Sequence, residues 1–230
     1  MDGFGQFCPV AKAAEVLTPR WTPLVLRELM FGNTRFNEIQ RGVPLMSRAL
    51  LAQRLRELEA VGVVLRGEDG EYRLTEAGRA LHPIVEAFGE WGLTWGTAHL
   101  TPEDLDPGFV MWSVRRRIHW ASVPERRVVL RFSFRGMPPR YRARGAWWLV
   151  LEAGTTDLCL KDPGHPVELE VRADVSGFAR CWLGHATWAE TLRAGSVAVE
   201  GPDAMVRALP GWLCIEGKGK GARPMIRVPA

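Results

Sequence analysis

The spacing of apolar residues changes along this chain of 230 residues, and that change constrains the fold more than any other feature. In the first hundred residues, apolar positions recur every three or four residues, as they do on one face of a helix. After residues 101–108 they alternate with polar positions, as in strands with one buried face. The intervening segment carries two prolines and three acids, which is typical of a linker. We therefore expect two domains, at residues 1–100 and 109–216, followed by a flexible tail at 217–230.

The first domain has the element order of a winged helix-turn-helix. Its sequence predicts four helices, then two short extended runs joined by a Gly-bounded acidic turn, then a long helix. The four helices are expected at residues 8–17, at 22–30, after a cap at Thr34, and from a cap at Ser47 to Ala60. The extended runs are expected at 63–66 and 71–74, and the long helix from Thr75 to Trp95. The apolar seam of this last helix, which includes Ile84, Phe88 and Trp91, is suited to packing on another helix.

Composition and cysteine usage favour a soluble, cytoplasmic protein. The chain is 47% hydrophobic and 24% charged, and no apolar run approaches the roughly 18 residues that a membrane span needs. The first residues lack the pattern of a secretory signal. The four cysteines are too scattered to form a disulfide scaffold. We therefore expect free thiols and no membrane partner.

Arginines concentrate in one part of the otherwise near-neutral first domain. Residues 34–56 hold five arginines against one acid, Glu38, which is a local stripe of the kind that faces phosphates. The predicted helix after Ser47 offers donors to base edges, since arginine suits guanine and glutamine suits adenine. The candidates are Arg48, Gln53, Arg54 and Arg56. The alternative is a solvated helix face on which Arg56 pairs with Glu59.

Six short motifs follow one another through the first domain. They are Cys8-Pro9-Val10, Arg20-Trp21-Thr22, Leu26-Arg27-Glu28-Leu29, Arg35 to Ile39, Arg54 to Glu59, and Tyr72 to Gly78. Together they resemble the HxlR family of winged-helix regulators over residues 7–96. The resemblance implies a homodimer that binds double-stranded DNA through Ser47 and the helix after it, with Arg66 and Arg73 in the wing. We add Arg35 as an anchor to the phosphate backbone.

Cys8 belongs to this resemblance as well, because certain relatives use a cysteine at this position to sense oxidants or reactive carbonyls. The N-terminus of a helix favours the reactive thiolate form of a cysteine. Cys8 is therefore a candidate for redox sensing. The alternative is a buried cysteine that packs as a small apolar residue.

The second domain is expected to be α+β, with a sheet whose apolar face is covered by helices. Strands are expected around residues 128–135, 147–152, 156–161, 167–172 and 196–200, and helices at 109–121, 175–183, 187–194 and 203–212. Four motifs resemble sterol-carrier-protein-like domains over residues 109–213. They are Val175 to Phe178, Trp182-Leu183, Trp188 to Glu190, and Val199 to Pro202.

This second resemblance implies an apolar tunnel between sheet and helices, and hence an apolar small molecule as ligand. The candidate pocket residues are Trp112, Trp120, Phe132, Phe134, Trp147 and Trp182. The alternative is that these aromatic side chains simply fill a core. The arginines at residues 115–117 and 126–144 also allow two interpretations. They form an accessory surface for DNA or an acidic ligand, or they lie on the polar face of the sheet and pair with Glu168 and Glu170.

These observations predict a cytoplasmic DNA-binding transcriptional regulator, expected to be a repressor, that responds to an apolar ligand or to thiol chemistry. Two other classes stay open. One is a carrier of lipids or apolar metabolites that uses the winged helix to dimerise, and the other is an enzyme housed in the second domain. Cys181 and His185 supply too few ligands for a metal site, and no catalytic motif stands out. We therefore expect no enzymatic activity, no cofactor and no metal.

Overall fold

The computed structural model describes residues 3–96, 100–141 and 145–215. The expected tail at 217–230 lies outside the described residues. The chain forms two compact units, which divide between Thr94 and Trp95. Each has its own hydrophobic core. Within the described ranges, no helix is long and apolar enough to cross a membrane.

The first unit is built of helices and one antiparallel hairpin. Its elements are α1 (Pro9–Leu17), α2 (Thr22–Met30), α3 (Phe36–Gly42), α4 (Arg48–Ala60), β1 (Val64–Arg66), β2 (Tyr72–Leu74), α5 (Glu76–Ala80) and α6 (His82–Trp91). The hairpin pairs Val64 with Leu74 and Arg66 with Tyr72. The predicted winged-helix order is therefore confirmed.

Local signals in the sequence determine where several of these helices begin. The Ser47 hydroxyl accepts a hydrogen bond from the Leu50 backbone N–H at 3.2 Å, so the predicted cap of α4 is confirmed. The predicted cap of α3 at Thr34 is wrong, because the N-cap residue is Arg35. The Glu38 carboxylate accepts the backbone N–H of Arg35 at 3.2 Å, and this bond fixes the start of α3 one residue later.

The long helix predicted from Thr75 to Trp95 is wrong as a single element. The chain breaks between α5 and α6 at Leu81, and Gly92–Gly96 forms a π-helical turn after α6. Pro83 lies in the first turn of α6. Because proline has no backbone N–H, it is tolerated at the start of a helix but not inside one. The proline therefore begins a new helix rather than continuing α5.

A buried carboxylate joins α2 to α3. Glu28 is fully buried and accepts hydrogen bonds from Arg27 Nη2 at 2.8 Å and from Asn33 Nδ2 at 2.9 Å. The same Arg27 nitrogen donates to the carbonyl of Gly42, the last residue of α3, at 3.0 Å. A Cβ at Gly42 would lie 1.9 Å from the Glu28 carboxyl carbon. Only glycine therefore fits where α3 passes over this carboxylate.

The second unit is a five-stranded sheet with helices, as predicted. Its elements are α7 (Pro107–Arg115), β3 (Val128–Arg135), β4 (Trp147–Glu152), β5 (Thr155–Cys159), β6 (Leu169–Asp174), α8 (Val175–Trp182), α9 (Trp188–Arg193), β7 (Val197–Glu200) and α10 (Asp203–Trp212). The strand order is β5-β4-β3-β6-β7. Neighbouring strands are antiparallel except for β3 and β6, which run parallel.

The first helix of this unit is shorter than the predicted helix at residues 109–121, which is therefore wrong at its end. The helix stops at Arg115, and Trp120–Ser122 forms a separate 3₁₀ turn. The backbone N–H of His119 donates to the carbonyl of Trp212 at 2.8 Å. This long-range bond ties the segment to the end of α10 instead of extending α7.

The sheet has one apolar and one charged face. Val128, Leu130, Phe132 and Phe134 are buried, so the predicted apolar face of β3 is confirmed. Arg126 pairs with Glu168, and Arg131 pairs with Glu170 on the neighbouring strand. The interpretation that arginines pair with Glu168 and Glu170 on the polar face of the sheet is therefore confirmed for Arg126 and Arg131. It is wrong for Arg115, which lies at the end of α7 and donates to the carbonyl of Thr156 at 2.9 Å. Arg142 and Arg144 lie outside the described residues.

The segment expected to be a linker, residues 101–108, contributes to the second unit. It contains the 3₁₀ turn Pro102–Asp104 and the first residues of α7. Leu105 is buried in the core of this unit. The Asp106 carboxylate accepts the backbone N–H of Gly108 at 2.8 Å and so caps α7. This part of the chain is therefore ordered by its contacts with the second unit.

Candidate nucleic-acid interface

Helix α4 divides cleanly into a buried and an exposed face. Leu51, Leu55 and Leu58 are at most 2% exposed and lie in the core of the first unit, as predicted. The opposite face is open to solvent and carries the predicted donors. Its exposed residues include Ser47, Arg48, Ala49, Gln53 and Arg56. The core therefore aims a set of polar side chains outward from one rigid element.

Arg48 is held in place by two side chains of α3. Its Nη1 donates to Asn37 Oδ1 at 3.0 Å, and its guanidinium lies 4.8 Å from the centre of the Phe36 ring. A guanidinium over an aromatic face is attracted by the negative charge of that face. Arg48 is therefore positioned before any partner arrives. Phe36 and Asn37 were not among the predicted site residues, because their role depends on how α3 packs beside α4.

Three side chains of α4 form a chain of polar contacts along the helix. Gln53 Nε2 donates to Glu57 Oε1 at 2.9 Å, and Arg54 Nη1 donates to Glu57 Oε2 at 2.5 Å. The Arg54 side chain is only 11% exposed. Of the predicted base-reading residues, Arg54 is thus mostly covered by protein, whereas Gln53, which also contacts Glu57, and Arg56 are exposed. The spacings of three and four residues to Glu57 were the signal for these pairs.

Acidic residues of the hairpin form ion pairs with two nearby arginines. Arg73 pairs with Asp69 at 2.5 Å and with Glu71 at 2.9 Å, and Arg35 pairs with the same Glu71 at 3.2 Å. The hydrogen bond from Arg73, aided by the backbone N–H of Glu71, lowers the pKa of Asp69 to about 2. Asp69 is therefore ionised at neutral pH and offsets the charge of the wing.

Arg66, the other predicted wing residue, is in a different setting. It is exposed on β1, with its guanidinium 5.6 Å from the centre of the Tyr72 ring on β2. This contact leaves the guanidinium at the surface of the hairpin. Arg66 is therefore exposed on the wing, whereas Arg73, the other arginine of the wing, pairs with acidic residues.

Two further features of the first unit are exposed. Cys8 lies at the N-cap of α1 and is exposed, so the alternative of a buried apolar cysteine is wrong.

Helix α6 carries an apolar surface, here called the α6 stripe, that consists of Ile84, Phe88 and Trp91. These side chains are 39%, 51% and 66% exposed. Exposed apolar side chains grouped on one helix mark an interaction surface.

Five of the six candidate pocket residues of the second unit belong to a single hydrophobic core. Four of these are buried, and Trp120 is half-buried and packs against that core. Trp112 is also buried, with the guanidinium of Arg115 4.7 Å from the centre of its ring. Phe134 makes edge-on contacts with Trp147 and with Phe178, at 5.5 and 5.7 Å between ring centres. The indole N–H groups of Trp147 and Trp212 are buried without a hydrogen-bond partner among the described residues. Phe178 and Trp212 were not predicted as members of this set.

Comparison with known proteins relates the first unit to a family. The family model described as HxlR-like helix-turn-helix matches residues 16–100. The chain is 36% identical over 112 residues to the uncharacterized HTH-type transcriptional regulator YvaP of Bacillus subtilis, an alignment that covers 46% of this chain and 95% of that protein. It is 38% identical over 96 residues to an uncharacterized HTH-type transcriptional regulator of Methanothermobacter thermautotrophicus, covering 39% of this chain and 73% of that protein.

A solved structure is also similar in sequence to the first unit. The crystal structure of quinone-bound YodB from B. subtilis is 37% identical and covers 39% of this chain and 100% of that chain, with a TM-score of 0.36. The family model ends at residue 100. The family match therefore concerns the winged-helix unit.

We expect Asp69→Asn to raise the affinity of the chain for mixed-sequence duplex DNA several-fold. The amide can still accept the backbone N–H of Glu71, which Asp69 Oδ1 accepts at 2.9 Å, but it no longer pairs ionically with Arg73. The guanidinium then keeps only its ion pair with Glu71 and can exchange it more readily for a phosphate, which steepens the dependence of log affinity on log salt by up to about 1. Fluorescence anisotropy over a series of salt concentrations measures both quantities.

Glu68→Gln is the matched control, because it removes the same charge from the same exposed turn. Since the pKa of Asp69 is depressed, its ion pair persists above the ordinary carboxyl pKa and is lost only as pH falls through about 2. The difference between the two variants should therefore be constant from about pH 5 to about pH 8. Equal salt slopes for the two variants would show that the pair does not restrain Arg73.

Proposed function

The chain belongs to the HxlR-like helix-turn-helix family, and from that premise we propose that it is a transcriptional regulator that binds double-stranded DNA as a homodimer. The observation that carries this proposal is the exposed polar face of α4, where Arg48 is pre-positioned by α3. A helix of this kind fits the major groove, which is about 12 Å wide and exposes a distinct pattern of donors and acceptors for each base pair.

The residues around α4 divide into three roles. Gln53 and Arg56 are exposed on α4 and are assigned to base edges, because an amide and a guanidinium can each make two hydrogen bonds to a purine. Ser47, Arg35 and Arg66 are assigned to phosphates, since they lie at the start of α4, before α3 and on the hairpin. Arg54 is assigned to support within α4, because Glu57 engages the guanidinium of its side chain, which is only 11% exposed.

Arg56→Ala should cost about 1–3 kcal/mol at the preferred DNA sequence and relax selectivity at particular base pairs. Arg35→Ala should instead weaken binding to all sequences by a similar factor, because a phosphate contact carries no sequence information. The preferred sequence is obtained by selecting from a randomised duplex library with the full chain, and affinities are then compared for preferred and mixed-sequence duplexes. Arg207→Ala, an exposed arginine of α10, is the control. Unchanged selectivity in Arg56→Ala would contradict the assignment of α4.

The α6 stripe supports the homodimer. Three large apolar side chains exposed on one helix are costly in water, and burial against a second copy would recover roughly 25 cal/mol for each Å² of apolar area. Phe7 and Val10, near the start of α1, are 99% and 76% exposed and add apolar surface to the same unit. A twofold dimer places two copies of α4 on successive turns of one DNA face.

Trp91→Lys should convert the dimer to a monomer, because it replaces the most exposed apolar side chain of the α6 stripe by a charge. Sedimentation velocity at micromolar concentration measures the change. Leu160→Lys is the matched control, since Leu160 is 59% exposed in the second unit and lies outside the stripe. A wild-type chain that sediments as a monomer, or a Trp91→Lys chain that remains a dimer, would contradict this part of the proposal.

We further propose that the second unit is a sterol-carrier-like sensor of an apolar ligand, that DNA binding represses transcription, and that Cys8 is a second input. Two observations support a ligand in the second unit. Helices cover an apolar sheet face rich in aromatic side chains, and the buried indole N–H groups of Trp147 and Trp212 have no hydrogen-bond partner in the part of the chain that the structure describes. Buried donors are normally satisfied, so a ligand with an apolar body and one acceptor would fit. The exposure of Cys8 supports access by oxidants.

Titration with lauric acid tests the sensor, because this probe combines an alkyl chain with an acceptor head. We expect saturable quenching of tryptophan fluorescence and a shift in affinity for the selected duplex, both weakened in Trp147→Phe, which lacks the indole N–H. An effector must bind the DNA-competent and incompetent states unequally. Binding without a shift in DNA affinity would indicate a carrier, and absence of binding would indicate a filled core.

A further inference from the structure

Glu57 lies on the DNA-facing helix, although an acid there repels phosphates. Its carboxylate is held from two sides, by Arg54 Nη1 at 2.5 Å on Oε2 and by Gln53 Nε2 at 2.9 Å on Oε1. The Arg54 side chain is 11% exposed and that of Glu57 26%, whereas Gln53 is exposed. The three side chains thus form a series of hydrogen bonds, here called the relay, that runs from the mostly buried Arg54 through Glu57 to the exposed Gln53.

The chemistry of this relay determines which way the Gln53 amide faces. An ionised carboxylate can only accept hydrogen bonds, so the amide must turn its NH₂ group toward Glu57 and cannot turn its oxygen there. Arg54 stabilises the ionised carboxylate and fixes its position, because a charge-assisted hydrogen bond is stronger than a neutral one. Gln53 therefore keeps its carbonyl oxygen and one N–H for a partner in solution.

This orientation discriminates between the two purines. In the major groove, adenine and guanine both present N7 as an acceptor, but adenine presents the N6 amino donor where guanine presents the O6 acceptor. An amide whose oxygen faces that position pairs with adenine and repels guanine. An amide that is free to turn over can offer its NH₂ group to O6 as well and loses this distinction.

We propose that Glu57 is a positioning residue that sets base specificity by locking the Gln53 amide in the orientation that selects adenine over guanine. The proposal rests on the proposed function, since it assigns a role within the α4 readout. Glu57 itself touches no DNA in this scheme. Arg54 acts one step further back and holds the carboxylate.

The test begins with the full-length chain and a randomised duplex library. Comparing the sequences selected by wild type and by Gln53→Ala identifies the base pair that Gln53 reads. Affinities are then measured for duplexes with adenine or guanine at that position. In Glu57→Gln the neutral amide can donate as well as accept, so the ratio of adenine to guanine affinity should fall about tenfold, within the range of one bidentate contact. Glu57→Ala should lower the ratio similarly.

Two controls separate positioning from charge and from folding. Glu59→Gln removes the same charge from the exposed face of the same helix and should raise affinity for all duplexes while leaving the ratio unchanged. In the Gln53→Ala background, adding Glu57→Gln should change the ratio no further. Far-UV circular dichroism during heating reports whether α4 remains folded, and a general loss of structure would weaken both duplexes alike.

An unchanged ratio in Glu57→Gln, or an equal loss in Glu59→Gln, would overturn the proposal while leaving DNA binding intact. A Gln53→Ala chain that selects the same sequences as wild type would also overturn it. A wild-type chain without salt-dependent affinity for duplex DNA would overturn the proposed function itself and the relay with it. These outcomes are distinguishable because the first two require a chain that binds DNA.

Discussion

The geometry of the winged-helix unit depends on a single buried carboxylate. A charge without water is tolerated only when it is paired and hydrogen-bonded, and removing one partner of such a group commonly costs about 3–5 kcal/mol. Glu28 meets this condition through Arg27 and Asn33, and Arg27 continues to the end of α3 at Gly42. Because α3 in turn supplies the side chains that hold Arg48, the orientation of this donor depends on a contact at the far end of α3.

The candidate interface differs from a simple positive surface because each group of arginines includes an acid. Glu57 engages Arg54 on α4, Glu71 joins Arg35 to Arg73, and Asp69 engages Arg73 again. Phosphate attraction alone favours all DNA equally, so excess positive charge raises affinity without selectivity. Acids that restrain some arginines lower this general term, and the exposed donors of α4 then contribute a larger share of the binding free energy.

The second unit also pairs arginines with acidic residues, but it does so on one face of a sheet. Its arginines pair with glutamates on neighbouring strands, as Arg131 does with Glu170 and Arg172 with Glu200, so the charged face of the sheet is largely self-neutralised. Its tryptophans are divided between two environments. Trp147 lies in the core, whereas Trp148, the next residue, packs beside Arg131 on the opposite face of the sheet. The indole N–H of each is buried without a hydrogen-bond partner among the described residues. This alternation separates the candidate ligand core from the charged face.

The features that could be predicted from the sequence are those that depend on neighbours within a few positions. The start of α4 at Ser47, its buried leucines, the hairpin and the apolar face of β3 follow from capping chemistry and from periods of 3.6 and 2, both of which act locally. Contacts between residues far apart in the chain could not be predicted in this way. Arg35 and Glu71 form an ion pair although they are 36 residues apart in the chain. The backbone N–H of His119 donates to the carbonyl of Trp212, which lies near the other end of the second unit's sequence. The sequence predicts both Arg54 and Gln53 to be exposed donors, yet Arg54 is packed against the protein. No local sequence pattern predicts these contacts, because they form only when the helices and strands pack together. Burying a charge is costly unless it is paired, so the packing then determines which partner each charged group has.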